Sequence, residues 1–275
     1  MANNVGLEFA ARTDTGLVRP HNEDAIATSP IYGFAVLADG MGGYSAGEVA
    51  SGIAISVAKQ LLVEGLARLQ GQQGDSRAHR QRQIQQLLID SIQRSNSAIL
   101  EAARSEPQYS GMGTTLVAAV FHHDKAIIAH VGDSRAYRLR GNDLTQLTRD
   151  HSLLQEQIDA GLISPEWARF SQNKNLVTRA LGVGPDMEVE VHEHQVELGD
   201  LYLLCSDGLS DMLLMQEIGE ILLSRPDSLE QICNALVQRA NENGGHDNIS
   251  VILIRIQSFT PESAGLLGRI LNWVA

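Results

Sequence analysis

Apolar residues along this chain follow two periods. Short apolar runs at residues 7–12, 25–27, 34–37, 114–121, 126–131, 136–139, 201–204 and 249–256 predict strands, most of them too continuous for a solvated face. Residues 188–196 alternate strictly and predict a half-buried strand. Residues 114–121 and 126–131 flank His122-His123-Asp124 and predict a hairpin. A helical period runs over residues 46–62, where Val49, Ile53, Val57, Leu61 and Leu62 recur with alanines filling the same face. After a polar, glycine-containing loop at 71–80, a second helix is predicted over 81–103, with Ile84, Leu88, Ile92 and Ile99 on its stripe. A third covers 229–240, with Ile232, Cys233, Leu236 and Val237 inward.

Residues 150–184 break the strand rhythm. They carry a short helix at 153–160, a helix start at Ser164-Pro165 and a polar stretch at 171–175, and read as an inserted subdomain. Many strands with a few long helices, and no regular strand–helix alternation, predict an α+β layered domain. The end of the chain, 261–275, places Leu266, Leu267, Ile270, Leu271 and Trp273 at helical spacing; packing on this protein or on a partner chain is preferred over lying on a membrane.

Acidic turns stand at the strand ends. Phe34-Ala35-Val36-Leu37 runs into Ala38-Asp39-Gly40-Met41-Gly42-Gly43. Three further turns repeat the arrangement: Gly132-Asp133-Ser134, Ser206-Asp207-Gly208 and His246-Asp247-Asn248. A single Asp-Gly is a common turn dipeptide. Four such turns, with Glu23-Asp24, predict carboxylates gathered in one place. Oxygen ligands without clustered Cys or His favour Mg²⁺ or Mn²⁺ over zinc. Two such ions at roughly 3.5–4 Å activate water toward phosphorus. Arg19, close to Glu23, supplies a fork for phosphate.

Composition narrows the partners. The 275 residues carry 33 acidic and 21 basic side chains, a net charge of −12, which opposes nucleic-acid binding. Cys205 and Cys233 form no CxxC and predict neither a disulfide framework nor a thiolate zinc site. No signal peptide is evident, and no uninterrupted apolar run approaches the ~20 residues of a membrane span, so a cytoplasmic location is expected.

Taken in order, Arg19-x-x-Asn22-Glu23-Asp24, Asp39-Gly40-Met41-Gly42-Gly43, Gly111-Met112-Gly113-Thr114-Thr115, His130-Val131-Gly132-Asp133-Ser134-Arg135, Ser206-Asp207-Gly208 and Asp247-Asn248 resemble the successive motifs of the metal-dependent protein phosphatases (type 2C, PPM), bacterial branch. The resemblance spans roughly residues 7–256. It implies a central two-sheet β-sandwich flanked by α-helices on both faces (α-β-β-α), metals at one end and 150–184 as a small flap beside them. Residues 1–258 would be one catalytic domain and 259–275 an amphipathic tail.

It further implies hydrolysis of phosphoserine and phosphothreonine in proteins, opposed by a counterpart protein kinase. Asp39, Asp207 and Asp247 match the ligands of a first metal; Glu23, Asp39 and the Gly40 carbonyl match those of a second. Asp24 matches a residue holding metal waters, and Asp133 with Asp207 a third, weaker site. Arg19 matches the phosphate clamp. The implied mechanism is direct attack by a metal-bridging hydroxide, without a phosphoenzyme. Met41 departs from relatives that place a His after Asp-Gly, so the general acid is unassigned, with a metal-bound water the first choice. His151 and His21 read as structural, His192 and His194 as one face of a solvent-facing strand, and Cys205 as a small buried residue. The competing readings are a non-catalytic phospho-binding module on the same fold and a two-metal hydrolase of other phosphoesters.

Overall fold

The computed structural model describes residues 5–43, 46–72, 76–164, 167, 176–224 and 228–259. Its strands are β1 (Val5–Asp14), β2 (Asp24–Ser29), β3 (Phe34–Met41), β4 (Gly113–Thr114), β5 (Leu116–His122), β6 (Lys125–Val131), β7 (Arg135–Arg140), β8 (Asp143–Gln146), β9 (Glu190–Gln195), β10 (Leu201–Cys205) and β11 (Ile249–Phe259). Its helices are α1 (Ala46–Gly71), α2 (Arg77–Ser105), α3 (Leu153–Asp159), α4 (Asp207–Ser210), α5 (Met215–Leu223) and α6 (Leu229–Glu242).

Two antiparallel sheets form the centre. One has the order β1-β11-β10-β7-β8; the other runs β2-β3-β5-β6-β9, with β4 paired to β3. Alternate side chains of each central strand enter different layers, as the pleat requires. Phe34, Val36 and Ala38 of β3 join the cluster that includes α1 and α2, while Ala35 and Leu37 join the inter-sheet cluster. Leu201, Leu203 and Cys205 of β10 meet α5 and α6; Tyr202 and Leu204 face the other sheet. Both faces are thus covered, which is why these antiparallel strands read as continuous apolar runs rather than alternating ones. Phe121 and Tyr202 meet edge-on across the sandwich with ring centroids 5.0 Å apart. The α-β-β-α architecture expected from the resemblance is present. Edge strand β9 is Glu-Val-His-Glu-His-Gln, and its charge discourages pairing with another chain.

The helices differ from expectation in extent. α1 continues to Gly71, and α2 begins at Arg77, where the Ser76 hydroxyl accepts the His79 N–H. Ala46, Ala50, Ala54, Ile55, Ala58, Leu62 and Leu66 are the buried apolar residues of α1; Val49, Ile53, Val57 and Leu61 are only partly buried. Small side chains let the helix axis approach the sheet closely, so the alanines form the centre of the inward face and Val49 and Ile53 pack at its margin. By length and composition alone α1 qualifies as a membrane span, but its inward face is packed on β3 in the core. Strand β8 and helix α5 are additional to the expected elements. The helix expected to start at Ser164-Pro165, the polar stretch 171–175 and the tail 261–275 lie outside the described residues, save for Ser164 and Trp167.

Leu204 is fully buried between the sheets, whereas Leu198 is 67% exposed. Leu204→Ala is expected to cost about 2–5 kcal/mol, read as a lower urea midpoint at unchanged slope. Leu198→Ala should stay within about 0.5 kcal/mol. Equal midpoints for the two variants would contradict an inter-sheet core.

Candidate metal centre

Strand register brings the acidic turns to one end of the sandwich. Asp24 opposes Asp39 across β2 and β3, and Leu116 opposes Val131 across β5 and β6. Cys205, two residues before Asp207, opposes both Val251 of β11 and Arg135 of β7. Asp39 and Gly40 were expected in a turn; they lie in the last part of β3. There the Asp39 N–H donates to Thr115 Oγ1 at 3.2 Å, and the Asp39 carbonyl accepts from Thr115 N–H at 2.9 Å and Thr114 Oγ1 at 2.8 Å. The aspartate backbone is locked by this pairing with neutral groups. Gly40 has a steric reason: a Cβ there would sit 2.2 Å from the Gly47 carbonyl and 2.6 Å from that of Glu23. Only glycine lets the start of α1 press onto β3 beside these residues.

The remaining residues are held by uncharged hubs. Asn248 Oδ1 accepts the Glu23 N–H at 2.8 Å, and its Nδ2 donates to the carbonyls of Thr15 and His21, each at 2.9 Å. One amide side chain therefore fixes the whole 15–23 segment, which carries Arg19 and Glu23. Ser206 Oγ donates to Asp24 Oδ2 at 2.8 Å and accepts the Ser250 N–H at 2.9 Å. Thr115 Oγ1 and Ser134 Oγ lie 2.7 Å apart, joining the Asp39 and Asp133 segments. Asp207 opens α4, and its carbonyl accepts the Asp211 N–H at 2.7 Å. Asn248 entered the sequence reading only as the neighbour of a ligand, and Ser206 only within a motif; their seats beside acidic residues were the available signal.

The electrostatics show that the carboxylates converge. Burial pushes Asp39 and Asp207 well above the usual carboxylate range. Neighbouring charges add to this, with Asp24, Asp207, Asp133 and Asp247 acting on Asp39, and Asp133, Asp211, Asp247 and Asp24 acting on Asp207. Burial lifts Asp24 to about 6 against hydrogen bonds from Ser250 and Ser206. Burial, with the charge of Asp150, lifts Asp133 to about 6. Glu23 is raised by burial, opposed by Arg19. Arg19, half exposed, pairs with Asp247 Oδ2 at 2.6 Å. All the expected site residues are thus brought into one acidic neighbourhood.

These residues fit a hard divalent cation. Carboxylate oxygens of one sign are packed together, with Arg19 on Asp247 and Arg135 near Asp133, and Asp24 Oδ1 is buried without any hydrogen-bond partner. A second group, His130, His151 and Glu190, brings ligand atoms within 4.8 Å of one another, but its geometry is different. The His130 and His151 rings are stacked, with centroids 4.6 Å apart and planes at 14°. Imidazole lone pairs lie in the ring plane, so near-parallel stacked rings do not converge on one ion at about 2.0–2.1 Å. This is a hydrogen-bonded group rather than a metal centre.

The thiols play no part: Cys205 and Cys233 are buried, and burial pushes both up to about 12, so neither is a thiolate. His192 is exposed and hydrogen-bonded to Glu190 Oε1 at 2.5 Å, as a solvent-facing strand residue would be. Met41 packs toward Gly113. The described ends of the expected flap segment are stitched by the Ser152–Val177 bridge and by paired hydrogen bonds between Thr114 and Leu181 of 3.0 and 2.9 Å.

A Protein phosphatase 2C family model matches residues 19–253. The serine/threonine phosphatase stp of Listeria welshimeri serovar 6b is 40% identical over 246 residues, covering 88% of this chain and 93% of that protein. The crystal structure of the Mycobacterium tuberculosis serine/threonine phosphatase PstP/Ppp superposes with a TM-score of 0.82 at 36% identity, covering 92% of this chain and 99% of that one. The catalytic domain of serine threonine protein phosphatase PstP in complex with two manganese ions gives 0.78 at 36%, with the same coverage.

The raised carboxyls make a pH prediction. Asp24 and Asp133 hold protons to about 6 when folded but only to 3.8 otherwise. Across that window the folded state binds more protons, so these groups make the chelator-treated protein less stable as pH rises from about 4 to 6. At pH 7.5, Mn²⁺ at a hundredfold its Kd is expected to add about 2.7 kcal/mol, or roughly 5–10 °C in Tm. The gain should shrink at pH 5, where protons compete for the same oxygens. Scanning calorimetry with no Mn²⁺-dependent change at pH 7.5 would refute the metal centre.

Proposed function

The chain belongs to the protein phosphatase 2C family, and from that premise we propose how its own residues divide the work. It is a metal-dependent protein serine/threonine phosphatase acting on phosphorylated proteins, with Mn²⁺ or Mg²⁺ as cofactor. In our reading Asp39, Asp207 and Asp247 would hold one ion, and Glu23, Asp39 and the Gly40 carbonyl would hold a second. Asp24 would steady waters around them, and Asp133 with Asp207 would take a third. The chemistry these ions supply is polarisation of the phosphoryl oxygens and activation of water.

The observation that carries this reading is the gathering of buried Asp39, Asp207, Asp24 and Asp133, each raised first by burial and further by neighbouring carboxylates, with Asp24 Oδ1 left without a hydrogen bond. A protein without cations here would hold carboxylates that repel one another for no return. Arg19 complements them. Its guanidinium already reaches Asp247, and its planar fork suits two phosphoryl oxygens, orienting the phosphorus above the acidic floor. Met41 has no proton to give, so the leaving serine or threonine oxygen is not protonated from that position. His151 does not replace it, because its ring nitrogens are engaged by Gly132 and Glu190.

The reading extends to a catalytic unit spanning 1–258, with the flap at about 150–184 and an amphipathic tail at 259–275. It also includes a counterpart serine/threonine kinase and a cytoplasmic setting, which the two free, buried cysteines suit.

Phosphate release from a phosphothreonine peptide with Mn²⁺ tests the assignment. EDTA should abolish it, and Asp207→Asn should lower kcat/KM roughly 10²–10³-fold, the several kcal/mol of charge stabilisation lost. Arg19→Ala should lower kcat/KM about 10–100-fold, the worth of hydrogen bonds to a charged group. An Asp207→Asn enzyme with wild-type rates would remove the central ligand from this scheme.

A further inference from the structure

The buried His130 and His151, with half-buried Glu190, form a polar cluster that the phosphatase reading leaves without a task. His151 is its centre and is 6% exposed. Its backbone N–H donates to the Gly132 carbonyl at 3.0 Å, and its ring Nδ1 accepts the Gly132 N–H at 3.1 Å. One residue thus holds both polar groups of Gly132, immediately before Asp133. Because Nδ1 is an acceptor, the ring hydrogen of the neutral imidazole sits on Nε2, 3.1 Å from Glu190 Oε2. Glu190 therefore sets the tautomer that the Gly132 contact requires.

Gly132 itself has no freedom to drift. Its φ is +107°, and a Cβ would lie 2.6 Å from Thr115. On the other side, His151 starts the flap. Its carbonyl accepts the Thr178 N–H at 2.8 Å, and the next residue, Ser152, bridges to Val177. Asp150, just before it, holds Arg135 through bonds of 2.9 Å to Nε and 2.6 Å to Nη2. Both strands of the flap base and the Asp133 turn therefore meet at one histidine.

We propose that His151 is a positioning residue that couples the seating of the flap to Asp133 through the Gly132 peptide, with Glu190 fixing its tautomer. The inference rests on the reading of Asp133 as a metal ligand. A change in the flap base moves the His151 backbone, the histidine moves the Gly132 amide, and the Asp133 carboxylate follows. The histidine touches neither phosphate nor metal; it acts through the peptide.

Mn²⁺ titration by calorimetry and hydrogen exchange at the Gly132 amide, on the full chain, test this. His151→Leu removes the ring acceptor and is expected to weaken the weakest Mn²⁺ step roughly tenfold and to lose protection at Gly132. In His151→Asn the amide oxygen stands where Nδ1 stood, so both readouts should return to within about threefold of wild type. A merely space-filling histidine would be replaced better by leucine than by asparagine; that order, or wild-type titrations for both variants, would overturn the proposal. Should His151→Leu fail to fold, Glu190→Leu leaves the histidine in place without its tautomer partner, and wild-type Mn²⁺ affinity there would overturn it equally. Asp133→Ala separates the two layers of the argument. If it leaves the titration unchanged, the ligand reading falls, and Gly132 exchange still judges the histidine.

Discussion

Repulsion between carboxylates is the constraint on which this structure turns. Asp24, Asp39, Asp133, Asp207 and Asp247 come from five separate strand ends, and for the first four burial and neighbouring carboxylates together oppose ionisation. Nothing intrinsic to such a cluster holds it together. The two-sheet core, with its strands apolar on both faces, supplies the cohesion, and the antiparallel register decides which residues emerge at the acidic end. Packing stabilises the scaffold, and the scaffold imposes an arrangement that would otherwise disperse.

The means of holding is informative. The acidic segments are fixed by Asn248, Ser206, Thr114, Thr115 and Ser134, all neutral donors and acceptors. Lysines or arginines in those places would relieve the repulsion but would also neutralise the oxygens that a cation needs. Arginines do pair with aspartates elsewhere, as Arg140 with Asp200 at 2.7 Å and Arg135 with Asp150, where the bonds tie loops together. Apart from Arg19 on Asp247, the props named inside the acidic cluster are neutral, as the electrostatics of a site that must keep its charge requires.

How much of this could be read from residues alone depended on the range of the interaction. Strands and acidic turns were legible because the signal is local: Phe34 to Leu37 is apolar, and Asp39 follows. The repetition of acidic turns at strand ends already pointed to their convergence, and the resemblance of ordered motifs said which residues would share an ion, since no local rule specifies which strand neighbours which. The alanines and Leu62 expected on the inward face of α1 are buried there, whereas Val49, Ile53, Val57 and Leu61 sit at its margin, because a strong hydrophobic signal does not distinguish the centre of a face from its edge. The continuation of α1 to Gly71 and the start of α2 at Arg77 were hidden by polar residues that are compatible with either helix or loop. The supporting hydrogen bonds of Asn248 were invisible, because they join positions 225 residues apart and depend on atoms rather than composition.

That long separation has a consequence for how the protein comes into being. Arg19 and Asp247, which meet at 2.6 Å, are 228 positions apart, and β1 completes its sheet only by pairing with β11. On a ribosome adding about 5–20 residues per second, the early half of the acidic cluster emerges tens of seconds before its late half. During that interval Glu23, Asp24 and Asp39 exist without Asp207, Asp247 or the Asn248 tether. The Arg19–Asp247 pair and the Asn248 tether therefore form only once nearly the whole domain has left the exit tunnel. The acidic end is thus completed by topology, its early and late halves joined only when β11 pairs with β1.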